Sequence, residues 1–153
     1  MKQIWILVAN SEFAQIFRLK NAEITLLHQL EHKESKERVS QLVSDQAGRG
    51  QSRGWRQHKY SLNEGEKIIR HEREKFVLEL FHLCKKNFDE HQFQKLIIFS
   101  SPKVLGDIRH IFNPLLTHCP SIEIDKELSP HWTLNEKIEY MSRYLEIPLK
   151  VAH

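Results

Sequence analysis

The chain has 153 residues, 40% of them hydrophobic, and its 23 Lys and Arg against 20 Asp and Glu give a formal net charge of +3. Chains of this size bury about 68–70% of the surface they expose when unfolded, so a single domain, 1–153, is expected. So small a charge surplus does not by itself mark a nucleic-acid binder, and nothing approaches the roughly 18 apolar residues of a membrane-spanning helix, so no membrane partner is expected.

The opening segment 4–9 is rich in β-branched and aromatic residues and predicts a strand. Asn10, Ser11 and Glu12 then break it without cleavage-site character, so no secretion signal is expected. A second strand over 13–19 completes a hairpin, and a third covers 24–30. The mixed-charge stretch 31–38 cannot sit in a core and reads as solvated loop or short helix. From 33 to 63 no regular periodicity appears, which predicts a long flexible loop; connections beyond roughly 12–15 residues are usually functional or disordered.

Helical spacing returns with Ile68, Ile69, Phe76, Leu80, Leu83 and Cys84 on one broad face, predicting a long helix over 64–87. Residues 96–99 form a continuous apolar run, as in a strand covered on both faces. Ser101 and Pro102 then match an N-cap with proline at the first helical position, and Pro114 is expected to bend or end that helix near Asn113. Residues 122–124 alternate like a short strand. Thr133 and Glu136 have capping-box spacing ahead of a last amphipathic helix carrying Leu134, Ile138, Met141 and Leu145. This order predicts an α/β fold with a mixed β-sheet, an N-terminal antiparallel meander, parallel strand-helix-strand units and helices on both faces, with a long basic loop before a long helix.

The loop is the most informative stretch. Between Asp45 and Glu64 there is no acidic residue, and three of the chain's five glycines, Gly48, Gly50 and Gly54, fall there. Arg49, Arg53, Arg56 and Lys59 supply cations that a purely structural connection would not require, arginine forks bind phosphate bidentately, and Trp55 and Tyr60 are placed to stack on unpaired bases. Arg49, Gly50, Gln51, Arg53, Trp55, Arg56 and Lys59 are therefore the candidate RNA-binding residues, set against the plain reading of a solubilising connection.

Several segments together resemble the bacterial host-attachment family: Trp5-Ile6-Leu7-Val8-Ala9 with Ala14-Gln15-Ile16-Phe17, Glu31-His32 with Ser35, and Leu42-Val43-Ser44-Asp45 leading to Gly48-Arg49. Leu105-Gly106-Asp107-Ile108-Arg109 and Lys126-Glu127-Leu128-Ser129 complete the set. That family is related to the middle domain of archaeal and eukaryotic class-1 release factors, which implies a ribonuclease H-like fold and an rRNA, tRNA or ribosome partner. In release factors the corresponding loop carries Gly-Gly-Gln, which helps water cleave peptidyl-tRNA. Here Arg49-Gly50-Gln51 keeps one glycine before the glutamine. No catalytic residue is assigned, Gln51 is the sole candidate, and peptidyl-tRNA hydrolysis stands as the alternative beside a protein-interaction domain without nucleic acid.

Nothing else points to catalysis: no nucleophile elbow, P-loop or dinucleotide fingerprint is present. Neither a metal nor any other cofactor is expected, although His71 and Glu74 have the spacing to share a helix face. Ser100, Ser101 and Pro102 form a strand-to-helix junction at which an anion or a plain cap is the choice. Gly106 is read as a close-packing residue against the sheet. Cys84 and Cys119 are expected to be buried, reduced thiols, consistent with a cytoplasmic protein.

Overall fold

The computed structural model describes residues 3–32 and 55–152, and within the second stretch it describes side chains from Glu64 onward. Ile4–Ala9 (β1) and Lys95–Ser100 (β4) lie side by side in parallel, Ile4 opposite Lys95 and Ala9 opposite Ser100. Every residue but the first of each is buried, because alternate side chains enter two different cores. Phe13–Lys20 (β2) pairs antiparallel with β1, and Glu23–Glu31 (β3) antiparallel with β2. Ser121–Ile124 (β5) and Lys150–Val151 (β6) join in parallel at the rims, giving the order β5-β4-β1-β2-β3-β6. The mixed sheet and its antiparallel start agree with the sequence-based expectation.

The helices are Trp55–Asp89 (α1), Pro102–Ile111 (α2), Asn113–Leu116 (α3) and Leu134–Leu145 (α4). On one face Trp5, Leu7, Ala14, Ile16, Leu96 and Ile98 pack with Phe76, Val77, Leu80 and Cys84 of α1 and with Val104, Leu105 and Ile108 of α2. On the other, Ile6, Val8, Phe17, Ile97 and Phe99 pack with Leu128 and with Ile138 and Met141 of α4. Each such aliphatic or aromatic side chain contributes about 1.5–3 kcal/mol by leaving water, so the sheet is held from both sides.

A bulge in β3 decides what that strand presents to α1. Ile16 pairs with His28 and Phe17 with Leu26, which leaves Leu27 as an additional residue. Before it Ile24 belongs to the α4 side; after it Leu30 packs against the α1 core and His28 lies 5.9 Å from Trp5. A one-residue slip exchanges the faces of a strand, so the bulge is what carries His32 to the α1 side.

The expected loop over 33–63 needs correcting at its end. Residues 55–63 belong to α1, which starts nine positions before the predicted 64. Between Gly54 and Gly65 there is neither glycine nor proline, and Arg, Gln, Lys and Leu propagate a helix without an apolar stripe to betray it. The Pro114 break falls where expected, with α2 ending at Ile111 and proline inside the first turn of α3. Gly106 is a second correction: it is exposed, and a Cβ there would meet nothing within 4 Å, so its lack of a side chain serves no close approach. Capping was read in part. Ser101 sits at the N-cap of α2 without a side-chain bond, whereas Thr133 Oγ1 accepts the Glu136 amide at 3.2 Å.

Candidate nucleic-acid interface

β1, β3 and β4 all finish at the same end of the sheet, where α1 passes His32. Asn10 turns the chain there: its Oδ1 accepts the amides of Glu12 at 2.8 Å and Phe13 at 2.9 Å, closing an Asx-type turn into β2. The Glu12 carbonyl in turn accepts the His32 amide at 2.8 Å, which ties the end of β3 to that turn. The His32 ring lies 4.9 Å from Phe76, and its Nε2, which is buried and makes no hydrogen bond, stands 3.8 Å from the Glu72 carboxylate. One helical step on, Arg73 pairs with Asp107 of α2. Residues 72 and 73 are thereby clamped from both sides at the level of the sheet edge.

That clamp fixes where α1 leaves the body. At 1.5 Å per residue the 35-residue helix is about 52 Å long, against about 20 Å for the six-residue β1. Among its described side chains the core residues begin at Phe76, and Glu72 is already level with the end of β3. The 55–71 stretch therefore reaches about 25 Å beyond the sheet edge. Glu64, Glu66, Lys67, Ile69, Arg70 and His71 on it are exposed.

The candidate residues divide into two groups. Arg49, Gly50, Gln51 and Arg53 lie outside the described residues. Trp55, Arg56 and Lys59 occupy the first turns of α1, where i, i+3 and i+4 spacing brings positions 55, 56 and 59 to adjoining parts of one helix surface. At the strand-to-helix junction the buried Ser100 hydroxyl donates to the Ser101 carbonyl at 3.2 Å. His71 and Glu74 are both exposed, and among the described residues no three His, Cys, Asp or Glu groups converge on a metal-sized space. Cys84 and Cys119 are both free and buried, and burial, then the neighbouring Cys119, pushes the Cys84 thiol up to about 12.

One polar group escaped the sequence reading. Lys137 on α4 is only 4% exposed, donates from Nζ to Gln15 Oε1 at 2.6 Å and lies 5.1 Å from the centre of the Phe13 ring. Desolvation pulls its pKa down. Its position three after Leu134 and four before Met141 places it on the apolar stripe, which was the available signal. Gln15 also accepts this partner while donating to Gln29 at 3.3 Å, so the pair pins α4 to β2.

A sequence family described as "Protein required for attachment to host cells" matches residues 5–135. No curated protein matches the chain. Among solved structures it is similar to the archaeal translation termination factor aRF1, with 11% identity and a TM-score of 0.44 over 94% of this chain and 40% of that one. It is also similar to the Aquifex aeolicus Ppx/GppA phosphatase, with 9% identity and a TM-score of 0.36 over 99% of this chain and 36% of that one. The chain thus spans well under half the length of either, and similarity at this level assigns neither activity to it.

Proposed function

The chain belongs to the family of proteins required for attachment to host cells, and from that premise we propose that its molecular role is to bind RNA or the ribosome, in the cytoplasm, through Arg49, Gly50, Gln51, Arg53, Trp55, Arg56 and Lys59. The observation that carries this reading is the continuity between an acid-free cationic run, 46–63, and a helix that overreaches the sheet edge by about 25 Å. A projecting helix end can enter a concave polyanion without the body colliding, and the His32–Glu72 and Arg73–Asp107 contacts give it a fixed root. Binding of this kind requires no catalytic group. Peptidyl-tRNA hydrolysis by Gln51 remains the enzymatic alternative.

The test is a titration against ribosomes and against tRNA at several salt concentrations. Four cations neutralising phosphates on unpaired strands give a slope of log affinity on log salt of about −3, and Arg56→Ala with Lys59→Ala should reduce it by about half. Absence of binding at about 50 mM salt, or a slope untouched by those substitutions, would falsify the proposal. Peptide release that vanishes in Gln51→Ala would instead establish the enzymatic alternative.

A further inference from the structure

On the face of the sheet opposite α1, the exposed side of α4 forms a cavity of about 390 Å³ lined by Trp132, Glu136, Glu139, Tyr140 and Arg143. Trp132 and Tyr140 form two walls, with ring centres 5.2 Å apart and planes inclined at 56°. Tyr144 backs the second wall with its ring centre 5.0 Å from that of Tyr140. Glu136 and Glu139 stand one helical turn apart on the rim, both exposed. Arg143 already pairs with Glu139 at 3.1 Å, which shows that a guanidinium fits against this carboxylate. Among the described residues no cation pairs with Glu136. The lining carries two carboxylates against one guanidinium, in a chain whose formal net charge is +3.

We propose that this cavity binds an arginine side chain presented by a cationic stretch of a partner protein. Aromatic faces attract a cation through the ring quadrupole, and a planar guanidinium can lie on a ring while its edge forks to a carboxylate, which a lysine ammonium cannot do. Carboxylates on the rim repel phosphate, so nucleic acid is the wrong occupant. The site lies across the sheet from the projecting helix and is independent of the RNA-binding reading.

An amide chemical-shift titration of the full chain with tetra-arginine tests the assignment, with tetra-lysine and tetra-glutamate in parallel. Tetra-arginine should shift the Trp132 indole and residues 134–143, with affinity lowered about fivefold or more in Glu136→Gln with Glu139→Gln and kept in Arg56→Ala with Lys59→Ala. Both neutralised side chains are exposed, so the fold is not at risk. Tetra-lysine should bind several-fold more weakly and tetra-glutamate should leave the cavity unshifted. Shifts centred elsewhere, equal affinity in the neutralised variant, or equal binding of tetra-lysine would each overturn the assignment; loss of tRNA binding would bear only on α1.

Discussion

Lys137 shows what a single ionisable side chain costs when it lies in an apolar seam. The amine has one close acceptor, Gln15 Oε1 at 2.6 Å, and the Phe13 ring takes part of the remaining burden. Gln15→Leu should therefore destabilise the fold by about 1–3 kcal/mol, while adding Lys137→Met should recover most of the loss, because removing both partners leaves nothing unsatisfied. Urea unfolding of the three variants decides it; a double variant no better than Gln15→Leu contradicts the pairing. Proton linkage gives a second handle. Cys84 holds its proton to about 12 in the fold but releases it near 9.0 when unfolded, so its contribution is whole below pH 9 and is lost as pH climbs toward 12, at up to about 1.4 kcal/mol per unit. Lys137, lowered from 10.5, works with the opposite sign: its native-state penalty is relieved as pH rises toward that value. Cys84→Val should flatten the alkaline loss of stability between pH 8 and 10.5, and a constant difference between variant and parent across that window would refute the linkage.

Among the elements, α1 has two halves of different standing. Phe76, Val77, Leu80 and Cys84 are fully buried and belong to the core, so Phe76→Ala should cost about 3–5 kcal/mol. Ser61→Pro, in the projecting half, should unwind local helix, visible as lost far-ultraviolet ellipticity, yet move the melting temperature by no more than about 2 °C because among the described residues of α1 no core side chain precedes Phe76. A large drop in melting temperature would show that the projecting half is integral to the body. This division also explains what the sequence revealed. β1 to β5 were legible, β1 and β4 through the apolar runs 4–9 and 96–99 and β2 because it alternates between two cores, whereas the two-residue β6 was not. The packed half of α1 was legible because Phe76, Leu80 and Cys84 recur at helical spacing. Residues 55–63 were not, since a run without periodic apolar positions writes no stripe. The β3 bulge was equally silent: which face His32 meets depends on one unpaired residue, Leu27, and no local propensity encodes that. Lys137 carries the contrary signal, a charge at a position whose spacing belongs to the core.

For the molecule as a whole, the two faces of the sheet carry different chemistry. One supports a cationic helix that outruns the strands, the other an aromatic hollow rimmed by carboxylates, and the sheet between them keeps the two apart. The two sites should therefore be separable by mutation: Glu136→Gln with Glu139→Gln should change tRNA affinity by less than about twofold, and a larger loss would place both ligands on one surface. A separate consequence follows from the rims, where β5 has four residues and β6 only two. β5 offers an arriving chain only four residues to copy onto, but β6 covers only Glu23 and Ile24 of β3, so among the described residues the outer side of 25–31 is where strand templating would find purchase.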